Sequence, residues 1–226
     1  SKPGGMLTYG IPSYKLEKNI IDAEIDILKE MGVEIRCGIE IGKDITIDEL
    51  RQQGYQGFYL AIGCQQGRLP GIENEEADGA VTAVDFLKEV SGEDKREDLD
   101  GTVVVVGGGN VAIDAARTAV RLNASQVFMY CLEDKQNMPA TKEEIAEAEE
   151  EGVQILGGWG PQKVLQENGK VKGIIFKRCV RVYDENHRFA PEYDEEDTIV
   201  VECSKVIFSI GQQIRWDNLL KGTKVE

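Results

Sequence analysis

Three consecutive glycines, Gly107–Gly109, stand between a run of valines and an alanine-rich stretch. From Gly107 to Ala112 the chain reads Gly-Gly-Gly-Asn-Val-Ala, which fits the spacing G-x-G-x-x-A. This spacing is typical of a turn that leaves a β-strand, opens an α-helix and accepts the two phosphates of a dinucleotide. The chemistry expected at this point of the chain is therefore anion binding by bare backbone.

Each position of the glycine motif has its own physical role. Gly107 permits the tight turn, Gly109 lets a pyrophosphate approach the backbone, and Ala112 lets the helix pack against the strand. The helix N-terminus adds unpaired N–H groups and a partial positive charge. Two other interpretations remain open. The glycines could form a turn that only joins strand to helix, or the ligand could be S-adenosylmethionine. The cofactor-binding residues predicted in the motif are Gly107, Gly108, Gly109, Asn110, Val111 and Ala112.

Two charged residues occupy the first turns of the predicted helix. Asp114 is interpreted either as a cofactor contact or as a favourable negative charge near the helix N-terminus. Arg117 is expected to be a solvated surface residue.

The residues at the end of the next predicted strand distinguish NADH from NADPH. An acid there binds the ribose 2′-hydroxyl, whereas arginines hold a 2′-phosphate. The chain reads Tyr130-Cys131-Leu132-Glu133-Asp134, with two acids and no arginine. The charge favours NADH, with Tyr130 and Glu133 toward the adenosine ribose, and a merely solvated acidic loop is the alternative.

Alternating strands and helices must position these residues. The pattern predicts strands at 102–106, 126–130 and 153–156, with helices at 110–122 and 142–151 between them. Thr141 and Glu144 form a possible capping box for the second helix. This order predicts a parallel sheet of the Rossmann type. An Asn168-Gly169 turn between alternating runs then predicts an antiparallel hairpin, followed by strands in "TIVVE" and "KVIFSIG".

The segment before the glycines gives a more mixed pattern. It predicts a helix at 16–31, a strand in "VEIRC", and a short helix opened by Thr46 with Glu49 as a capping box. The run "GFYLAIG" at 57–63 predicts a buried strand, and Thr82 is expected to cap a helix that extends through Val90. The charged stretch 91–101 is expected to be a surface connection.

The composition limits the function classes. A net charge of −15 over 226 residues makes nucleic acid and anionic membranes poor partners. No apolar run is long enough to span a membrane and no signal peptide is evident, so a cytoplasmic protein is expected. The five cysteines are far apart, without a CxxC pair, and are expected to be reduced. The only histidine, His187, is expected to be solvated and leaves no catalytic triad or metal site to assemble.

Three other features have plain structural interpretations. Trp159 and Trp216 are expected to be packing residues, and the acids at 192–197 a solvated turn. The acidic helix 142–151 is expected to expose its acidic face to solvent, and the alternative is that this face is a docking surface for a basic partner.

Several motifs in fixed order carry a family resemblance. They are "GGMLTYGIPSYKLEKNIIDAEIDILKEMGVEIRCG", "YQGFYLAIGCQQGRLPGIE", "VVVVGGGNVAIDAARTAVRL", "NMPATKEEIAEAEEEGV" and "VIFSIGQ". Together they resemble the small (beta) chain of glutamate synthase and its relatives, flavoproteins with two dinucleotide-binding domains. Dihydropyrimidine dehydrogenase carries a similar module. The resemblance covers nearly the whole chain.

The resemblance implies a domain order and two cofactors. Residues 1–78 would be part of an FAD domain, with Gly63 in its Ala-Ile-Gly turn. Residues 79–210 would bind NAD(P)H, and 211–226, with Gly211 and Gln212 near the nicotinamide, would return to the FAD domain. The implied fold is an α/β Rossmann-like NAD(P)-binding domain, a parallel sheet plus a small antiparallel β-meander, packed beside a partial FAD-domain segment.

Departures from the family pattern qualify these implications. The first FAD-binding glycine motif, the later Gly-Asp motif and the N-terminal iron–sulfur cysteines have no counterpart in the sequence, so a central excerpt that is inactive alone is expected. Relatives that use NADPH usually carry Tyr-Arg-Arg where this chain has Tyr130-Cys131-Leu132.

The function implied is an NAD(P)H-dependent oxidoreductase module that passes hydride from NAD(P)H to FAD in the longer protein. No side chain is expected to be catalytic, because the cofactors carry the chemistry. An iron–sulfur or amidotransferase subunit is the expected partner. The alternative is a non-catalytic adaptor domain with a weak nucleotide site.

Overall fold

The computed structural model describes residues 2–92 and 98–224, so part of the charged connection at 91–101 lies outside the described residues. The chain divides into a larger unit, residues 67–211, and a smaller unit, residues 1–66 with 212–226. The larger unit includes residues 67–78. The assignment of the smaller unit to an FAD domain stays a prediction.

The helices are α1 (Met6–Tyr9), α2 (Lys18–Glu30), α3 (Ile47–Gln52), α4 (Ala83–Val90), α5 (Asn110–Arg121) and α6 (Lys142–Glu150). The strands are β1 (Gln66–Gly67), β2 (Ala80–Thr82), β3 (Thr102–Val106), β4 (Gln126–Cys131), β5 (Gln154–Gly157), β6 (Trp159–Glu167), β7 (Lys170–Tyr183), β8 (Phe189–Glu202), β9 (Lys205–Phe208) and β10 (Gln212–Gln213). β1 and β10 form a two-stranded sheet.

A five-stranded parallel sheet in the order β2-β9-β3-β4-β5 is the centre of the larger unit. Its middle strand, β3, is buried on both faces, as a central parallel strand must be. Val103 and Val105 join one hydrophobic cluster, and Val104 and Val106 join another on the opposite face. The α/β class and the parallel sheet predicted from the sequence are confirmed.

Helices cover one face of this sheet. The cluster on that face is formed by residues of α4, α5 and α6 together with inward residues of β3, β4 and β9. α5 lies close to the sheet because its inner positions are small, and Ala112, Ala115 and Ala116 are fully buried. Thr82 and Thr141 cap their helices, since the Thr82 hydroxyl accepts from the Asp85 N–H and the Thr141 hydroxyl from the Glu144 N–H. The second half of the capping box predicted at Thr141 is replaced, because the Thr141 N–H donates to Asn110 Oδ1.

An antiparallel meander, β6-β7-β8, covers the other face. Its hairpin turns at Asn168 and Gly169, both with positive φ (53° and 80°), the conformation that the predicted turn requires. Ile174 and Phe176 of β7 pack against Val104 and Phe208 of the parallel sheet. The larger unit is thus a helix layer, a parallel sheet and a β-meander.

The acids at 192–197 do not form the turn expected from the sequence. They belong to β8, where they are exposed beside an irregularity in the pairing with β7. The Asp194 carboxylate accepts from the Glu196 N–H at 3.0 Å, which stabilises the bulged backbone. A bulge in a solvated edge strand has the same polar composition as a turn, so the sequence did not separate the two.

The smaller unit contains helices, but the strands expected there are missing. α2 buries Ile21 and Ile25, and α3 begins with the predicted capping box between Thr46 and Glu49. The segments 33–37 and 57–63 are largely exposed and form no strand, so their prediction as strands was wrong for this chain. A strand needs a neighbour for its N–H and C=O groups, and neither segment has one among the described residues.

Candidate functional site

A cleft of about 560 Å³ lies at the carboxyl ends of β9, β3 and β4 in the larger unit. The chain leaves β3 toward β4 on one side, whereas β9 pairs with β3 on the other. Such a switch point is where open α/β sheets bind ligands. Six residues predicted from the sequence line this cleft, and these are Gly107, Gly108, Gly109, Tyr130, Glu133 and Gly211.

Gly107 is required by the local backbone. Its φ is +141°, and a Cβ there would lie 2.2 Å from the Ser209 carbonyl oxygen. Its N–H donates to the Tyr130 carbonyl at 2.8 Å, and the Ser209 N–H donates to the Val106 carbonyl at 2.7 Å. The turn is therefore held on both sides by the neighbouring strands.

Gly109 differs from Gly107 because, apart from its two chain neighbours, no described residue has an atom within 4 Å of the position that its Cβ would take. Its backbone is extended, with φ −93° and ψ 173°, and it caps α5 at the rim of the cleft. Neither crowding nor strain within the protein requires glycine here. The bare backbone next to a helix N-terminus fits a pyrophosphate that needs close approach.

Gly108 lies between these two and faces the end of β4. A Cβ there would lie 3.1 Å from the Cys131 Cβ and 3.4 Å from Glu133 Oε2. The Gly108 carbonyl accepts from the Ala140 N–H, which fixes the loop before α6 beside the glycine turn.

The rest of the predicted motif has structural contacts. The Asn110 Oδ1 accepts from the Thr141 N–H at 3.0 Å, joining the start of α5 to the cap of α6. Val111 is half-exposed, Ala112 is fully buried, and Asp114 is buried in α5. None of these four is among the described residues that line the cleft. Their predicted cofactor contacts stay predictions.

Tyr130 and Glu133 line the cleft at the end of β4. The Tyr130 ring stacks on Phe176 with centroids 4.3 Å apart, and its burial raises the pKa of the phenol. The Asp134 carboxylate accepts from the Gln136 and Asn137 N–H groups at 3.0 Å, so it closes its own loop. Glu133 is therefore the acid of this pair that remains available to a ligand.

Arg68 is a cleft residue that the sequence analysis missed. Its N–H donates to the Gly211 carbonyl at 3.0 Å, and it brings a positive charge to the cleft. It stands in "RLPGIE", a loop to which no function was assigned from the pattern. The other predicted residues near the end of the chain, Gln212 and also Gly63, belong to the smaller unit, and their relation to the cleft stays a prediction.

The meander supplies an apolar wall that was also missed. Trp159, Pro161, Phe189 and Tyr193 line the cleft, so Trp159 is more than the packing residue expected. These residues come from β6 and β8, far along the chain from the glycines. Only the antiparallel pairing brings them there, and no spacing in the sequence signals it.

Arg117 is not the solvated residue expected. It is buried, and its guanidinium forms ion pairs with Glu147 and Glu151 of the following helix. Arg121 pairs with Glu151 as well. The acids of α6 are therefore partly neutralised from within the chain, which weakens the interpretation of this helix as a docking surface.

Within the described residues, the cysteines and His187 belong to no group of metal ligands. All five cysteines are free, with Cys37 and Cys64 exposed and three others buried. Burial, with smaller effects from Glu133 and Asp134, raises the pKa of Cys131 to about 12. In the described portion, no three His, Cys, Asp or Glu residues are grouped closely enough to hold a metal. No described helix combines the length and apolar character that crossing a membrane requires.

The family model of the pyridine nucleotide-disulphide oxidoreductases matches residues 7–226. The chain belongs to this family. It is 37% identical over 186 residues to the glutamate synthase (NADPH) small chain of Escherichia coli, covering 77% of this chain and 39% of that protein. It is 36% identical over 216 residues to the NADP(+)-dependent formate dehydrogenase subunit beta of Moorella thermoacetica, covering 92% of this chain and 30% of that one. The resemblance drawn from the sequence is confirmed.

The fold is also found in a solved oxidoreductase. FprA from Mycobacterium tuberculosis, in complex with NADPH, superimposes with a TM-score of 0.77 at 17% identity, over 93% of this chain and 62% of that one. At this identity the match concerns the fold alone. By length, the chain spans well under half of each of the two curated relatives named above.

Proposed function

We propose that this chain is the NAD(P)H-binding module of a flavin-dependent oxidoreductase and that the cleft beside Gly109 holds the dinucleotide. In the longer protein the module would present the nicotinamide to an FAD, to which it supplies hydride. This chain's own residues bind and orient the dinucleotide and exclude water.

The observation that carries the proposal is the empty Cβ position of Gly109. A glycine in ordinary backbone geometry, with open space on its side-chain face, stands at the N-terminus of α5. The free N–H groups and the dipole of this helix attract phosphate. In a chain of net charge −15, such local donors are what lets an anion bind.

The charged and apolar residues that line the cleft support an orientation of the dinucleotide with its nicotinamide near Gly211 and its adenosine ribose near Glu133. Arg68 adds a cation on the side of Gly211, where the nicotinamide half is predicted, and Glu133 offers a carboxylate to a ribose hydroxyl at the other end. Trp159 and Tyr193 add an apolar wall to the cleft. Apolar walls with few polar groups are typical of cofactor clefts.

The relatives support the redox assignment. Their names describe NADPH- or NADP(+)-dependent oxidoreductase chains, and one is a formate dehydrogenase subunit. We propose that the smaller unit is part of the FAD domain, and that the exposed apolar residues of 33–37 and 57–63 pack there against further chain. An iron–sulfur or amidotransferase subunit as the next partner remains a prediction.

Calorimetric titration of the chain with NADH and with NADPH tests the proposal. We expect binding of at least one, and a Gly109→Ala variant with affinity reduced at least about tenfold, because the methyl group occupies the space needed by the pyrophosphate. Gly57→Ala is the matched control. Its Cβ position is equally open, and Gly57 does not line the cleft.

Two outcomes would count against the proposal. No heat with either dinucleotide at millimolar concentration would favour the adaptor interpretation. Unchanged affinity in Gly109→Ala would mean that the dinucleotide binds elsewhere.

A further inference from the structure

A second cavity, of about 730 Å³, adjoins the cleft in the larger unit. The two share Leu132 and Glu133, so the second cavity begins where the predicted ribose end of the cleft stops. Its other walls are the loop after β4, the Gly157-Gly158 end of β5, and residues 178–183 of β7. We call it the arginine cavity, because Arg178 and Arg181 of β7 line it.

Arg178 lines the arginine cavity and contacts a residue of the cleft. Its guanidinium carbon lies 4.9 Å from the centre of the Trp159 ring, and Trp159 lines the cleft while Arg178 lines the arginine cavity. This cation–π contact holds the charged group without using its N–H donors. Gly158 leaves room for it, since a Cβ there would lie 3.2 Å from Arg178 Nη1.

Arg178 differs from the neighbouring cations of β7 because it forms no ion pair with an acid of the described chain. Arg181 forms an ion pair with Glu192, and Lys177 pairs with Glu195 at 2.6 Å. Asp194 is opposite Arg178 in the β7–β8 register, but its carboxylate accepts from the N–H groups of the bulge instead. Arg178 therefore lines the arginine cavity without an ion pair to any described acid.

Two acids that line the same cavity, Glu133 and Asp134, affect what can bind. The Asp134 carboxylate is occupied by its own loop, whereas Glu133 is available to a sugar hydroxyl. A phosphate on the same sugar would meet repulsion from Glu133 and needs a nearby cation. Arginine meets this need well, because its planar guanidinium donates two hydrogen bonds to phosphate oxygens.

We propose that Arg178 binds the 2′-phosphate of NADPH and makes the cleft selective for NADPH over NADH. The inference rests on the proposed function and deepens it. The specificity residue then comes from the meander rather than from the end of β4, where the sequence shows acids and favoured NADH. Arg178 contacts the ligand remote from the reacting carbon, so its effect is on selectivity and not on the chemical step.

The test is a calorimetric comparison of paired ligands that differ by one phosphate. NADPH and NADH form one pair, and adenosine 2′,5′-bisphosphate and 5′-AMP form the other. In the unmodified chain we expect the 2′-phosphorylated member to bind more tightly. Arg178→Gln should weaken its binding by about tenfold or more, the loss expected for charged hydrogen bonds, and leave NADH and 5′-AMP unchanged.

Arg181→Gln is the matched control, since it removes the same charge from the same cavity at a residue already paired with Glu192. We expect it to change NADPH affinity less than about threefold, as surface ion pairs contribute little. A thermal melt of each variant checks folding.

The outcomes separate the inference from the proposed function. If both dinucleotides bind with equal affinity, or if Arg178→Gln leaves the NADPH-to-NADH ratio unchanged, the inference is overturned and the proposed function stands. If equal losses occur in the two variants, general charge rather than Arg178 is responsible, and the inference is overturned. If neither dinucleotide binds, both fail.

Discussion

The two units of this chain bury very different amounts of apolar surface. In the larger unit, Val103, Val104 and Val105 of β3 are completely buried. In the smaller unit, the described core is formed by three isoleucines that are 5–8% exposed, while Tyr59 is 94% exposed. The larger unit therefore has a core of its own, and the smaller unit has only the beginnings of one.

The contrast shows which structures depend on local sequence and which depend on partners. Helices form in both units, because capping residues such as Thr46 and Thr82 act within one turn. Strands form only where another strand pairs with them, as β3 does with β4 and β9. A run such as 57–63 has strand composition and stays unpaired.

The largest expected difference between the units is in thiol reactivity. Cys37 and Cys64 of the smaller unit are exposed, whereas burial raises the pKa of Cys131 and of Cys203 to about 12. At pH 8 a thiol of that pKa is about one ten-thousandth thiolate, and the thiolate is the reactive form. In a colorimetric thiol titration we expect two cysteines to react quickly. The other three should react after denaturant is added, and rapid reaction of a third native thiol would contradict the comparison.

The second expected difference is in the loss of unfolding free energy when a buried isoleucine is truncated to alanine. Ile113→Ala in α5 should lower the free energy of unfolding by about 3–4 kcal/mol, because the site is fully buried and cannot refill. Ile25→Ala in α2 should cost about 1–2 kcal/mol, since its surroundings are thinner. Urea unfolding followed by the fluorescence of Trp159 and Trp216, one in each unit, measures both. Equal costs would mean that the two cores are equally packed.

The smallest expected difference is in ion pairs. Arg117→Met should cost about 2 kcal/mol, because it removes a buried cation from Glu147 and Glu151, although these acids are partly exposed and regain water. Lys29→Met removes an exposed pair with Asp26 in the smaller unit, and we expect no measurable change in the free energy of unfolding. The same urea experiment compares the two variants. If Arg117→Met destabilises the chain as little as Lys29→Met, the expected difference between buried and exposed ion pairs is wrong.

Much of the larger unit could be predicted from the sequence. The valine run, the glycine motif and the alternation of strand and helix are consequences of short-range rules, and the structure places Gly107–Gly109, Tyr130 and Glu133 in one cleft. The Asn168-Gly169 turn was readable for the same reason, since positive φ at both positions has few solutions.

The rest depends on contacts between distant residues. Trp159 reaches the cleft through the antiparallel pairing of the meander, and Arg68 through its bond to the Gly211 carbonyl. Arg117 is buried because α6 packs beside α5. The local sequence around each of these residues therefore gave no signal. The strand predictions for the two segments of the smaller unit were wrong because they too depend on distant contacts. The composition of these segments is typical of strands, but the described chain contains no sheet with which they pair.

The two faces of the parallel sheet are covered by different structures, helices on one and the meander on the other, and the side chains of β3 alternate between them. Substitutions in the meander can therefore accumulate without disturbing the packing of α5, which aims the glycine turn. Under the proposed function, evolution could in this way change which cofactor is accepted, through β7 and β8, while the glycine turn keeps its geometry.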